Sequence, residues 1–196
     1  MLSLFQRKPP IDEFWQWFKT NRQRLLLDGA DQAAHKQFTQ QIKRLHRSLT
    51  YELVPGDPSE LQISADGVPE LIPLVKDVVA AAPAIEGWRI VEFRQPRPSP
   101  VTIDVFDSTM DAQTLRFAID ATHERSLDIT VFLKSVTADH VRHLAHCAMM
   151  IIESVIGEYS LMTQIGELEY GDESDSIGRE CFQVSELPAK LAALGS

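Results

Sequence analysis

The stretch TLRFAIDATHERSLDITVFL (residues 114–133) decides the fold, because apolar and polar side chains alternate along both of its halves. Apolar side chains recur at every second position in residues 114–121 and again in residues 127–133. Such alternation is typical of strands that bury one face. The linking residues 123–126 are few enough for a tight hairpin. The stretch therefore predicts two neighbouring antiparallel strands.

A helix is expected to follow this hairpin. Residues 138–156 carry a wide apolar stripe at spacings of three and four, which is typical of a helix that packs on a sheet. Thr137 is the expected N-cap, and Gly157 is the expected end of the helix. Alternating segments elsewhere predict five more strands, at residues 50–54, 60–65, 88–95, 101–106 and 164–170.

The N-terminal part predicts two helices joined by a short link. An aromatic stripe begins at Phe14, Gly29 ends the first helix, and Asp31 is placed to cap the second. A further helix is expected over residues 69–82, between the second and third strands. The period of the pattern thus changes from helical to strand-like after residue 49.

Together these segments predict an α+β fold. We expect a two-layer sandwich, in which helices cover one face of a mainly antiparallel sheet, preceded by an N-terminal helical hairpin. A single domain over residues 1–196 is expected, since the length fits one domain. Its parts are the hairpin (11–48), the sheet with its covering helices (49–170), and a C-terminal tail (171–196) that docks on the domain.

Composition and charge limit the classes of partner. The chain is 44% hydrophobic and 24% charged, which excludes disordered and rod-like proteins. The formal net charge is −9, although residues 1–50 carry nine basic and only four acidic side chains. The rest of the chain is strongly acidic and would repel a phosphate backbone, so nucleic acid is not favoured as a partner. An acidic surface suits a basic partner protein.

The cysteines and the apolar runs indicate the compartment. Cys147 and Cys181 are the only cysteines, which does not suggest a disulfide framework. The N-terminal residues lack the apolar core of a signal peptide. No uninterrupted apolar run approaches the roughly 20 residues of a membrane span. We therefore expect a cytoplasmic protein with no membrane partner.

One candidate metal site lies on the predicted helix 138–156. His140, His143 and Cys147 follow a spacing that can present all three on one flank of a helix, and these residue types bind zinc. Three ligands on one straight helix rarely converge on a single ion, and no paired Cys-x-x-Cys motif is present. The alternative is a polar helix face that is rich in histidine.

A second candidate consists of carboxylates near the last strand. Glu167 and Glu169 share a strand face, and paired carboxylates can transfer protons or bind a hard cation. No calcium-loop pattern accompanies them. Acidic side chains on an edge strand also prevent aggregation, which is the alternative explanation. The other acids of this group are Glu158, Asp172, Glu173 and Asp175.

Several segments resemble a family of uncharacterised bacterial proteins of unknown function. These segments are FWQWF (14–18), ISADG (63–67), AAP (81–83), GW (87–88), FRQPR (93–97), IGEY (156–159) and IGELEY (165–170). The resemblance implies no activity and no cofactor. Most matching positions supply turns or buried bulk. Arg94, Gln95 and Arg97 are a candidate ligand or interaction loop, because two guanidiniums can clamp a carboxylate or phosphate, or else tie the loop to the acidic C-terminal strand.

The sequence predicts a non-catalytic interaction protein that binds or inhibits a basic partner protein, or else forms a homo-oligomer. No Gly-x-Ser-x-Gly elbow, phosphate-binding glycine loop or dinucleotide fingerprint is present, so no catalytic residue and no cofactor are assigned. The alternative is a small metal-dependent hydrolase or metal-binding protein that uses the histidine-bearing helix.

Overall fold

The chain divides into two compact units, unit 1 (Met1–Arg94) and unit 2 (Gln95–Ser196). The computed structural model describes residues 10–26, 31–97, 101–106, 108–134, 137 and 139–194. Within these residues it contains five α-helices and nine strands in an α+β arrangement, with mainly antiparallel sheets and an N-terminal helical hairpin. The predicted fold class is therefore confirmed, while the single-domain organisation stays a prediction.

Unit 1 opens with the predicted helical hairpin. Helix α1 (Pro10–Asn21) begins at a proline, which suits the first turn of a helix because no backbone N–H is needed there. A 3₁₀ turn, Arg22–Leu25, follows it. Helix α2 (Gln32–Leu45) is capped as expected, since the Asp31 carboxylate accepts a 3.0 Å hydrogen bond from the Ala34 N–H.

The hairpin is followed by a three-stranded sheet. Strand β1 (Thr50–Val54) pairs antiparallel with β2 (Ser59–Ser64), as the alternation predicts. Helix α3 (Ile72–Ala80) then carries the chain to β3 (Trp88–Glu92), which pairs parallel with β2. The order of the strands is β1-β2-β3, so β2 lies in the centre.

Aromatic side chains join the helices of unit 1 to its sheet. Phe18 contacts Trp88 of β3 with ring centroids 4.9 Å apart, and Phe38 of α2 contacts Tyr51 of β1 at 4.4 Å. The buried Trp15 ring donates its indole N–H to the Val78 carbonyl oxygen of α3 at 2.9 Å. The indole is thus both buried and hydrogen-bonded, as a buried tryptophan requires.

Unit 2 contains a small hairpin and a four-stranded sheet. The hairpin consists of β4 (Ile103–Val105) and β5 (Ser108–Met110). The sheet has the order β8-β7-β6-β9. Its elements in chain order are β6 (Arg116–Thr122), β7 (Leu127–Leu133), α4 (Val141–Gln164), β8 (Ile165–Asp172), β9 (Phe182–Gln183) and α5 (Leu187–Ala192).

The core of unit 2 lies between α4 and its sheet. Alternate residues of β7 are almost fully buried against the apolar stripe of α4, as their period predicts. Leu187 and Leu191 of the C-terminal segment are buried in the same core. The opposite face of β7 is also covered: Phe132 is only 4% exposed, and the Arg179 guanidinium lies 5.2 Å from its ring centre.

Helix α4 differs from the predicted helix 138–156 at both ends. It begins at Val141 without a side-chain cap, so Thr137 does not cap it. Gly157 is non-helical (φ 78°, ψ 158°), yet the helical hydrogen bonding resumes and reaches Gln164. Gly157 therefore kinks the helix instead of ending it. Strands β5 and β9 have only three and two residues, too few for a pattern that predicts them from the sequence.

Helix α4 is the one helix among the described residues that is long and apolar enough to cross a membrane. Half of its most apolar window is buried inside the protein, against the sheet. Its apolar composition is therefore explained by core packing.

The two units share one topology. In each unit two antiparallel strands are followed by a helix and by a third strand that pairs parallel with the second. In unit 1 these elements are β1, β2, α3 and β3, and in unit 2 they are β6, β7, α4 and β8. This ββαβ repetition was not detected in the sequence, because the side chains of the two copies differ.

Candidate functional site

The two candidate histidines lie around an aromatic ring. Phe106, at the turn between β4 and β5, is 55% exposed, and its ring stacks on His140 with centroids 3.9 Å apart. His143 meets the same ring at 5.6 Å with an interplanar angle of 66°. The two histidines therefore form an aromatic cluster with Phe106. They contact its ring, whereas the sequence suggested that they bind a metal ion.

Cys147 is separated from these histidines. Its side chain is 4% exposed and belongs to the core between α4 and the sheet, whereas His143 is exposed to solvent. The structure does not bring His140, His143 and Cys147 together as a ligand set. Among the residues that it describes, no group of three His, Cys, Asp or Glu side chains is placed to hold a metal ion.

The predicted Arg94–Arg97 loop is anchored at several points. In unit 1 the Arg94 guanidinium lies 3.4 Å from the Asp66 carboxylate. In unit 2 the backbone N–H of Arg97 donates a 2.7 Å hydrogen bond to the Ser154 carbonyl oxygen of α4. Gln95 lies between these residues as the first residue of unit 2.

This loop and the histidines do not form a common site within unit 2. Ser154 follows His143 along α4 by eleven positions, and the rise of about 1.5 Å per residue separates them by about 16 Å. Ser154 lies three residues before the non-helical Gly157, so this bond joins the loop to α4 close to its kink. The backbone of Arg97 is thereby tied to α4.

An aspartate in unit 2 connects three segments that are distant in sequence. The Asp128 carboxylate accepts a 2.7 Å hydrogen bond from the His123 ring and a 2.9 Å bond from the Glu167 N–H. These bonds hold the carboxylate in its charged form, so the pKa of Asp128 lies below its ordinary value, with the His123 bond as the largest cause. A Cβ at Gly166 would overlap the same carboxylate, so a side chain there would displace Asp128 from this position.

His123 lies in the predicted turn of residues 123–126, and the sequence alone does not connect it with Asp128. The two residues flank the β6–β7 turn, so their proximity could have been read from the hairpin register. The bond to Glu167 could not, because it depends on how β8 pairs with β7. The strand β8 has a bulge at this point, between the pairs that involve Leu127 and Ile129.

Tyr170 carries the one buried side-chain oxygen or nitrogen without a hydrogen-bond partner in the described part of the chain. Its ring packs beside the core of unit 2, and its hydroxyl group is shielded from solvent. Burial raises the pKa of Tyr170 to about 12, because the ionised phenolate would be poorly solvated there.

Two shallow depressions, of about 530 and 520 Å³, lie beside strand β9. Basic side chains at the second depression already have partners. Arg179 pairs with the Asp120 carboxylate, and the Lys190 ammonium lies 3.4 Å from the centre of the Phe182 ring. These contacts hold the C-terminal segment on the sheet, and the open shape of both depressions offers little enclosure to a small ligand.

The candidate carboxylates lie at a free edge of the unit 2 sheet. Strand β8 is an edge strand, and Glu167 and Glu169 are exposed on it. Within the described ranges, neither carboxylate is within ion-pair distance of a basic side chain. The acids beyond β8 are engaged locally: Asp172 and Asp175 form a reciprocal cap, and Glu173 lies 3.7 Å from Lys134.

The charge of the chain is concentrated in unit 2. Residues 1–94 contain 12 basic and 12 acidic side chains, whereas residues 95–196 contain seven basic and 16 acidic ones. Unit 1 is therefore neutral overall, although the N-terminal hairpin is basic. The formal charge of −9 belongs to unit 2. The exposed carboxylates of Glu167 and Glu169 thus lie in the acidic unit, on an edge strand of its sheet.

Comparisons of the chain with protein-family models, with curated proteins and with solved structures found no match. The resemblance to an uncharacterised bacterial family therefore stays a prediction.

Proposed function

We propose that this protein is an interaction module whose unit 2 binds a positively charged partner protein. The observation that carries the proposal is the charge of unit 2, with 16 acidic against seven basic side chains. Opposite surface charge speeds the encounter of two proteins and selects among partners. The free thiols Cys147 and Cys181 agree with a reducing compartment, so we propose a cytoplasmic setting.

The acids of unit 2 differ in their availability to a partner. Asp111 accepts bonds from two backbone N–H groups, Asp120 pairs with Arg179, and Asp128 holds His123. The exposed carboxylates of Glu167 and Glu169 bond to no other side chain or backbone group in the described part of the chain. They are adjacent on the surface, since residues two apart in a strand share a face. We therefore place the centre of the acidic surface on β8.

Charge reversal tests this location. The double substitution Glu167→Lys and Glu169→Lys is compared with Glu124→Lys and Asp139→Lys, which reverse two exposed carboxylates elsewhere in unit 2. Both double variants have the same net charge, so only the location of the change differs. Each immobilised protein is exposed to cell extract of the source organism at low salt, and the retained proteins are identified by mass spectrometry.

We expect a basic protein that is retained by the wild type and by the control, and that is lost with the β8 variant. Its retention should fall when salt is raised past about 0.15 M, because screening weakens contacts between exposed charges. The proposal is wrong if no basic protein is retained at low salt, or if both double variants lose it equally.

A further inference from the structure

Strand β8 exposes an unpaired edge of the unit 2 sheet. It is hydrogen-bonded to β7 on one side, and in the described part of the chain no strand pairs with its other side. Alternate residues of an edge strand direct their N–H and C=O groups away from the sheet. With eight residues, β8 is long enough to offer several such groups to an extended peptide.

The opposite edge of the sheet is protected in a way that β8 is not. There β9 covers the first two residues of β6, and a bulge between Ile119 and Ala121 distorts the remainder. Bulges and short covering strands are the ordinary means by which proteins block unwanted strand pairing. Within the described residues no strand covers the edge of β8, and beyond its bulge between Ile165 and Leu168 the pairing of residues 168–172 with β7 is regular.

The free edge of β8 is also held in a fixed conformation. Near its start the Asp128 carboxylate accepts the Glu167 N–H, and at its end the Asp172 N–H donates a 2.9 Å bond to the Asp175 carboxylate. Gly166, Glu167 and Glu169 are exposed, so the edge is accessible. An arriving peptide would therefore lose conformational freedom, while the strand that receives it is already ordered.

The charge of β8 selects its occupant. A second copy of this chain pairing through β8 would bring Glu167 and Glu169 near their own counterparts, and like charges on facing strands destabilise pairing. A strand with lysine or arginine at alternate positions would instead place opposite charges across the pair. Resting on the proposed function, we propose that β8 accepts a basic extended peptide of the partner as an additional strand.

The experiment uses the full-length protein and a fluorescent peptide of alternating lysine and threonine, matched in length to β8. Two further peptides carry N-methyl groups on alternate residues, in one register or in the other. N-methylation removes a backbone donor and leaves the charge unchanged. Only one register removes the donors that face β8, because alternate residues of a strand point to opposite neighbours.

We expect saturable binding by fluorescence anisotropy, with one N-methylated register weakened about tenfold and the other less affected. Hydrogen exchange of the β8 amides should slow when the unmodified peptide binds. Glu167→Lys with Glu169→Lys should weaken binding, whereas Glu124→Lys with Asp139→Lys should preserve it.

The outcomes separate strand addition from charge recognition. If the β8 charge reversal abolishes binding but both N-methylated registers bind like the parent peptide, strand addition is wrong while the acidic recognition surface stands. If the peptide shows no saturable binding, or if both double variants weaken it equally, the inference is also overturned. The retention of a basic protein from cell extract then remains the separate test of the proposed function.

Discussion

At the scale of single residues, Asp128 links β7 to the β6–β7 turn and to β8. Because an ionised carboxylate only accepts hydrogen bonds, the short contact with His123 places a proton on the Nε2 atom of that ring. The second carboxylate oxygen accepts the Glu167 N–H. The β8 bulge and the absence of a side chain at Gly166 make room for this carboxylate.

The acid sensitivity of unit 2 should depend on Asp128. Its pKa is lowered in the folded protein, so its stabilising contribution is present above about pH 4 and is lost as the pH falls through the folded pKa. In the Asp128→Asn variant the amide cannot titrate. Its single acceptor oxygen replaces two carboxylate oxygens, which accept from the His123 ring and the Glu167 N–H. We expect a lower free energy of unfolding at pH 7 and a shallower decrease below pH 4.

Urea unfolding at several pH values, followed by circular dichroism, measures this effect. Glu124→Gln is the control, because this exposed carboxylate in the same turn makes no hydrogen bond in the described residues. Its unfolding should follow the wild type across the range. An Asp128→Asn profile that parallels the wild type would contradict the role given to this carboxylate.

At the scale of elements, α4 shows where sequence patterns predict well and where they do not. Its apolar stripe predicts a helix on a sheet, because that stripe reflects packing within a few turns. The predicted end of the helix at residue 156 was wrong, because a glycine at the end of an apolar stripe usually ends a helix. The Arg97 N–H bonds to the Ser154 carbonyl oxygen close to the kink, and the sequence around Gly157 cannot show so distant a donor.

Substitution of Gly157 tests the kink. Its φ of 78° with ψ of 158° lies in a region that is essentially limited to glycine. Gly157→Ala should therefore reduce the free energy of unfolding by about 1–3 kcal/mol. Denaturant unfolding measures the loss, with Ala145→Ser in the regular part of α4 as a control for a small side-chain change. A Gly157→Ala variant as stable as the wild type would show that the kink is not required.

The candidate sites, like the elements, are predictable where the sequence pattern is local and not where distant segments meet. The exposure of Glu167 and Glu169 on an edge strand agrees with their pattern in sequence, because a two-residue period is local. The histidine cluster was not foreseen, because Phe106 reaches His140 from another element. The burial of Cys147 follows from the orientation of α4 on its sheet, which the spacing of possible ligands does not determine.

At the scale of the whole molecule, each unit has its own apolar core. The core of unit 2 consists of described residues between Ile103 and Leu194. In unit 1 the aromatic rings of Phe14 and Phe18 both pack against Phe38. One continuous sheet was expected from sequence, whereas the described strands form three. Alternation identifies strands but not their partners, and both parallel pairs connect through a helix.

The organisation into units can be tested with the three tryptophans, all of which lie in unit 1. Ile151 is fully buried in the core of unit 2, and Ile151→Ala should remove about 2–5 kcal/mol of stability. Because each unit has its own core, we expect a lower unfolding midpoint when circular dichroism at 222 nm is measured. The midpoint measured by tryptophan fluorescence should stay unchanged.

A matched substitution completes the test. Val75→Ala, in the buried face of α3, should instead lower the midpoint that tryptophan fluorescence reports. If Ile151→Ala lowers both midpoints by the same amount, the two units unfold together and the single-domain prediction is confirmed.

The position of α5 has a consequence for the order in which the chain acquires its structure during synthesis. Unit 1 has all three of its strands once Glu92 has left the ribosome, so its core can form early. Unit 2 cannot complete its core until Leu187 and Leu191 emerge, about a hundred residues later. A nascent chain therefore passes through an interval in which one half is protected and the other still displays an incomplete apolar surface, the period in which chaperones would bind it.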